Sequence, residues 1–243
     1  MTCNMSASCF RFKRFSVYHD RCAMKVGTDG VLLGAWTSVA QSKNILDVGT
    51  GSGLIALMLA QRNESADIIA IDVDADAAVQ AKENVIASPF NDRIEVVNIS
   101  FRDFVEQTSV KFDGIVCNPP FFANALLPPD KRRSEARHAY SLPIEDLLFL
   151  SRKIISLNGK LSFVYPFERK SFLHGLIHET GWYIHRQTDV YPTPHSFPKR
   201  LLLELSLVPS EVGTIHKHLV IEMERHHYSE EFVQLAKDFY LYL

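Results

Sequence analysis

A chain of 243 residues with 47% apolar side chains has the material for a full core and fits one large domain or two small ones, which excludes a disordered protein. Its net charge of −2 excludes capture of nucleic acid by bulk charge and leaves room for a local basic patch. No apolar run is long enough to span a membrane, the start lacks the apolar stretch of a secretion signal, and Cys3, Cys9, Cys22 and Cys117 show no CxxC spacing, so they read as free thiols of a reducing cytoplasm.

Residues 1–9 form a polar tail. Residues 10–18, FRFKRFSVY, alternate aromatic and basic side chains, and period two predicts one strand with an apolar face. Its Arg11, Lys13 and Arg14 fit either a solvated face or a contact to a phosphate backbone. After a turn at His19-Asp20-Arg21, Gly27-Thr28-Asp29 precedes an apolar helical run at 31–36, with Thr28 or Asp29 as its N-cap. A capping role alone explains these residues; the functional alternative is a turn covering the tail of a bound cofactor.

Asn44–Val48 is a buried strand leading into Asp47-Val48-Gly49-Thr50-Gly51-Ser52-Gly53 and a helix over 54–61. Strand, glycine-rich turn and helix open a Rossmann-like unit, in which glycines permit unusual dihedrals and close ligand approach, and the helix start favours a carboxylate. The spacing is G-x-G-x-G, and no Lys-Ser/Thr follows, which excludes a P-loop. The second strand ends at Asp72, 25 positions after Asp47. That is close to the offset of about 20 residues expected of a carboxylate that grips ribose hydroxyls. Asp74 and Asp76 suit the start of the next helix. A third strand ends near Asn98, followed by Ser100 and Asp103, either of which has the hydrogen-bonding groups to meet an adenine amine.

The stretch 112–122, FDGIVCNPPFF, is an apolar strand that ends in Asn118-Pro119-Pro120-Phe121. Prolines cannot continue a central ladder, and they leave carbonyl oxygens free. The Asn118 side chain and the Pro119 carbonyl are two acceptors beside an aromatic ring, Phe121, a combination suited to a planar group carrying an NH2. Such a nitrogen is a poor nucleophile because its lone pair is conjugated; acceptors that hold both hydrogens favour a pyramidal nitrogen. The bland alternative is a Pro-Pro turn with a core Phe. Lys131, Arg132, Arg133 and Arg137 follow within residues 128–138, as a solvated helix start or a clamp on a nucleic-acid backbone. A helix from 144 is predicted to stop at Asn158-Gly159. Strands at 161–165, 182–190 and 200–208 follow, with a helix over 168–179, and the last two strands, joined without a helix, are expected to be antiparallel. A short strand over 218–223 precedes a terminal helix capped by Ser229-Glu230-Glu231.

Strand–helix units closed by a hairpin resemble the class I S-adenosylmethionine-dependent methyltransferases: an α/β, Rossmann-like seven-stranded sheet with an antiparallel last strand and a short N-terminal extension. The glycine loop, Asp72 and the NPPF corner match that family's motifs in order, and NPP followed by an aromatic marks its amino-methylating branch. Residues 19–29, HDRCAMKVGTD, with LLGAW at 32–36, LMLAQR at 57–62, YSE at 228–230 and FYL at 239–241, resemble the bacterial tRNA1(Val) adenine-37 N6-methyltransferases. The resemblance implies S-adenosyl-L-methionine as cofactor, valine tRNA as partner, a cytoplasmic location, and neither metal nor membrane. It implies that Asp47, Gly49, Gly51 and Gly53 line the methionine part, Asp72 holds ribose, and Lys25, Thr28 and Asp29 border the pocket. Asn118 and Pro119 would hold the adenine amine, with Phe121, often Tyr in relatives, stacked on the base beside Pro120. The family often has Asp where this chain has Ser100, which leaves Ser100 and Asp103 as alternative readers of the cofactor adenine. Residues 1–36 are expected to form an extension packed on a methyltransferase domain, 37–243. A ribosomal RNA amino-methyltransferase, a protein glutamine methyltransferase and a non-catalytic RNA-binding module are the alternatives; the short, basic stretch before Asp47 favours RNA over protein as substrate.

Overall fold

The computed structural model describes residues 9–22, 24–119 and 142–243. Its centre is a sheet of β3 (Asn44–Val48), β4 (Asp67–Asp72), β5 (Ile94–Asn98), β6 (Phe112–Cys117), β7 (Ile155–Pro166), β8 (Tyr183–Tyr191), β9 (Arg200–Ser206) and β10 (Ile215–Val220). The order across it is β10-β8-β9-β7-β6-β3-β4-β5, and β9 alone runs antiparallel to its neighbours. The central strands are near-continuous apolar runs because helices cover both faces. Side chains alternate between two cores: Ile45, Val116 and Leu202 face one, Leu46, Ile115 and Leu203 the other. The first core is closed by α1 (Thr28–Trp36), α2 (Leu54–Arg62) and α7 (Glu230–Ala236). The second is closed by α4 (Phe101–Gln107), α5 (Ile144–Ile154) and α6 (Lys170–Glu179); α3 (Ala75–Ile86) packs against β5 and β4. No helix among the described residues is long and apolar enough to cross a membrane.

The sheet has eight strands where seven were expected. The eighth is β10, which lies three residues earlier than the strand predicted at 218–223 and pairs parallel with β8. The segment read as one strand at 10–18 is a hairpin of β1 (Cys9–Arg11) and β2 (Ser16–Tyr18), closed by Phe12 N donating to Phe15 O at 2.8 Å. The physical signal is a change of parity: Phe10 and Phe12 point inward on even positions, Phe15 and Val17 on odd ones, so the chain must turn at Lys13-Arg14. The rings of Phe12 and Phe15 stack at 4.8 Å and join the same core as α1, α2 and α7. Neither Thr28 nor Asp29 caps α1; Gly27 is the N-cap and offers no side chain. Asn158-Gly159 is not a helix stop. β7 starts directly at Ile155, and its register with β6 slips between Phe112 and Gly114. Gly159 is needed there because a Cβ would stand 2.6 Å from Ile155 Cγ1 and 2.8 Å from the Phe112 carbonyl oxygen. Cys22 and Cys117 are free among the described residues, whereas Cys9 is disulfide-bonded, against the expectation of free thiols throughout.

Candidate active site

Parallel pairing sets the end of β3 beside two others in register: Val48 is opposite Ile71 of β4 on one side and Cys117 of β6 on the other. One residue further on, Asp72, Gly49 and Asn118 therefore stand in a row at the carboxyl edge. The chain builds outward from β3 through β4 to β5, then crosses to β6, so this row lies at the switch point where open α/β sheets bind ligands.

The loop after β3 is held by its own backbone. Gly49 N and Thr50 N both donate to Ile71 O at 2.9 Å, and Gly51 N donates to Asp72 Oδ2 at 2.7 Å. Gly49 and Gly51 have φ of +68° and +57°, and a Cβ on either would meet nothing within 4 Å. Open space above a left-handed backbone is a cradle that a side chain would fill. Asp47 lies beneath it, fully buried. Its Oδ2 accepts from Thr50 Oγ1 at 2.6 Å and from Ala56 N at 3.1 Å, while its Oδ1 has no hydrogen-bond partner. Burial pushes the Asp47 carboxyl up to about 7, against the lowering effect of those two bonds. Asp72, also raised mainly by burial, keeps one oxygen on Gly51 and the other on Asp74 N at 2.9 Å. A carboxylate has about four acceptor positions, so Asp72 retains capacity to accept from a hydroxyl. Neither acid has an ion-pair partner among the described residues. Burial, and after it the charges of Asp72, Asp74 and Asp20, raise the Cys22 thiol to about 11, and burial with the charges of Asp47 and Asp72 raises that of Cys117. The donor set therefore fits a cationic ligand that carries vicinal hydroxyls, and it disfavours a pyrophosphate.

Asn118 follows β6 half-buried, and Pro119 is buried. The Asn118 Nδ2 is 3.9 Å from where a Cβ on Gly30 of α1 would stand, and Leu54 Cδ2 is 3.1 Å from the same point. The first turn of α1 thus lies between the corner and the glycine loop. Thr28 and Lys25 there are exposed. The Asp29 carboxylate is engaged with Arg200, whose Nε donates to it at 2.7 Å and ties α1 to the start of β9. Ser100 caps α4: its Oγ accepts from Asp103 N at 3.1 Å and donates to Asp103 Oδ2 at 2.6 Å, so the two residues form one bonded pair. Pro120, Phe121, Lys131, Arg132, Arg133 and Arg137 lie outside the described residues. Arg11, Lys13 and Arg14 are exposed. Arg14 lies over the Phe90 ring at 5.3 Å, and Lys13 Nζ donates to Lys237 O at 2.6 Å. Phe90 precedes β5, at the amino ends of the parallel strands, whereas Asn118 follows β6 at their carboxyl ends.

Sequence reading missed Asn84. This residue is 1% exposed on α3, and its amide donates to Tyr18 O at 2.7 Å and to Ser52 O at 2.8 Å, while its Oδ1 accepts from Tyr18 N. It joins the N-terminal hairpin to the glycine loop. A polar residue among Ala77, Ala81 and Val85 on an apolar helix face was the available signal.

The family model described as Methyltransferase small domain matches residues 24–129. The tRNA1(Val) (adenine(37)-N6)-methyltransferase of Parabacteroides distasonis is 50% identical, covering 96% of this chain and 97% of that protein. The protein of the same name from Trichodesmium erythraeum is 45% identical over 98% and 99%. Among solved structures, a predicted O-methyltransferase of Agrobacterium tumefaciens superposes with a TM-score of 0.67 at 18% identity, over 87% of this chain and 96% of that one. A ribosomal protein L11 methylase of Lactobacillus delbrueckii gives 0.51 at 19% identity, over 73% and 76%. At such identities the structural likeness establishes the fold alone.

Proposed function

Because this chain belongs to the family of tRNA1(Val) (adenine(37)-N6)-methyltransferases, we propose that it transfers a methyl group from S-adenosyl-L-methionine to N6 of adenine 37 in valine tRNA. The observation that carries the mechanism is the row of Asp72, Gly49 and Asn118 at the switch point, beside two acids that have no ion-pair partner among the described residues. The cofactor supplies an electrophilic methyl group on a cationic sulfur. Asp47 and the cradle of Gly49, Gly51 and Gly53 would hold its methionine part, Asp72 the ribose, and Ser100 or Asp103 its adenine. Lys25 and Thr28 border the pocket, and Asp29 acts there through its tie to Arg200.

The target base leaves its stack at a cost of about a few kcal/mol. On the family resemblance, Phe121, next to Pro120 in the chain, would stack on it. The Asn118 side-chain oxygen and the Pro119 carbonyl accept the two amine hydrogens and aim the N6 lone pair. Positioning supplies much of the acceleration. Methyl transfer neutralises the sulfur, so no strong base is needed, and the extra proton leaves N6 afterwards. The step calls for no metal. Lys131, Arg132, Arg133 and Arg137 would follow the tRNA backbone beside the corner. Arg11, Lys13 and Arg14 would add a contact from the N-terminal hairpin. Residues 1–36 act as an extension of the methyltransferase domain, and a tRNA substrate places the enzyme in the cytoplasm.

Methyl transfer from labelled cofactor to unmodified valine tRNA, alongside a transcript with guanine at position 37, tests the proposal. Label in the first alone supports it. Label in ribosomal RNA or in a glutamine-bearing protein instead, or cofactor binding with no transfer to any of these, overturns it.

Two further outcomes are expected. Gly49→Ala should lower stability by only about 1–2 kcal/mol, the cost of a left-handed non-glycine residue, yet weaken cofactor binding at least about tenfold, because its Cβ enters the open cradle. Gly53→Ala carries similar strain (φ +81°), but its Cβ would meet Ala81 at 3.4 Å, so affinity should change less. Denaturation and cofactor titration separate the two effects. Asp47 makes binding pH-dependent. A cation favours its ionised form, so affinity should rise as pH passes upward through about 7 and be about tenfold weaker at pH 6 than at pH 8. The unliganded fold behaves oppositely. It binds the Asp47 proton more tightly than the unfolded chain does, so this group's contribution to stability falls between pH of about 4 and 7. Both dependences should flatten in Asp47→Asn.

A further inference from the structure

At the sheet edge farthest from β5, β10 lies parallel to β8 with His216 opposite Gln187 and His218 opposite Asp189. Period two puts these four side chains on one face. Asp189 and Gln187 are 4% and 3% exposed, whereas both histidines are open to solvent. One ligand atom each from Asp189, His216 and His218 lie within 4.8 Å of one another.

The carboxylate is oriented from behind. Asp189 Oδ1 accepts from Gln187 Nε2 at 2.7 Å, and Gln187 Oε1 is 2.9 Å from His174 Nε2. The amide cannot be reversed without setting two oxygens 2.7 Å apart. Gln187 Nε2 is also 3.2 Å from His216 Nε2, a contact that asks for a lone pair on that nitrogen. Asp189 Oδ2 lies 3.2 Å from the same nitrogen and asks for a proton on it. One ring nitrogen cannot supply both. A cation between Asp189 Oδ2 and the two imidazoles removes the conflict: it takes the lone pair, and Gln187 keeps its shorter bond to Asp189.

We propose that Asp189, His216 and His218 form a surface site for a divalent transition metal of the zinc class, which fastens the last sheet strand to its neighbour. Two imidazoles and one carboxylate suit zinc, nickel or copper better than the oxygen-seeking magnesium or calcium. Gln187 supplies the outer hydrogen bond that such ligands usually have. The competitor is Lys170, whose ammonium stands 3.3 Å from Asp189 Oδ2 on a side chain 27% exposed. Metal binding displaces it into solvent.

The test is zinc titration of the full chain by calorimetry, with melting temperature followed in parallel. Wild type should bind one zinc that raises the melting temperature. His216→Ala/His218→Ala, changed only at exposed positions, should keep its fold by circular dichroism and bind at least about tenfold more weakly. Lys170→Ala should bind more tightly than wild type, since it removes the competing charge. Zinc affinity unchanged in the double variant, or absent in wild type and in Lys170→Ala alike, would reduce the cluster to an ion-pair network and overturn the site.

Discussion

Asn118→Ala is expected to lower methyl transfer by at least about 10³-fold while cofactor affinity stays within about threefold of wild type, because positioning and hydrogen bonding to the reacting amine act mainly in the transition state. Asn118 lies just past β6, outside the hydrogen bonds that close the glycine loop on Ile71 and Asp72. Its amide nitrogen stands 3.9 Å from where a Cβ on Gly30, in the first turn of α1, would lie. Its loss therefore leaves the cradle intact. Single-turnover rates with saturating cofactor, set beside equilibrium cofactor binding, separate the two quantities. A collapse of cofactor affinity would make Asn118 a wall of the pocket and not the group that orients N6.

Asp72→Ala should have the converse effect, weakening cofactor binding by about 10²-fold, or about 3 kcal/mol, as expected on losing hydrogen bonds to a charged acceptor. Because Asp72 also accepts from Gly51 N and Asp74 N, part of the effect passes through the loop. A 2′-deoxy analogue of the cofactor distinguishes the routes. If Asp72 grips ribose, the analogue binds wild type more weakly than the natural cofactor does, and Asp72→Ala no longer tells the two apart. Equal loss for both ligands would assign Asp72 to loop support alone, and unchanged affinity in the variant would remove it from the site.

Much of this was written in local chemistry. The apolar run of β6 ending in Asn118-Pro119, the glycines between β3 and α2, and the acid closing β4 each announce themselves, because a strand end, a left-handed turn and a buried carboxylate tolerate few residue types. Their order along the chain then implied the fold that the sheet displays. Other features depended on partners remote in sequence. Asp29 looked like a cap or a pocket residue, and only the return of β9 brings Arg200 to it across 171 positions. Asn84 is an unremarked helix residue until α3 lies against both β2 and the glycine loop. Gly159 resembled a helix stop because the slip of β7 along β6 is a property of two strands together. β10 was misplaced and left out of the sheet because an edge strand has one partner and an exposed face, which weakens its alternation. By itself the sequence determined which residue types stand at the ends of β3, β4 and β6, the acids, glycines and Asn118-Pro119 from which the proposed chemistry is read. The tertiary structure alone decided which distant side chains brace α1 and the glycine loop, because contacts across the sheet are set by register and packing, which no local pattern encodes.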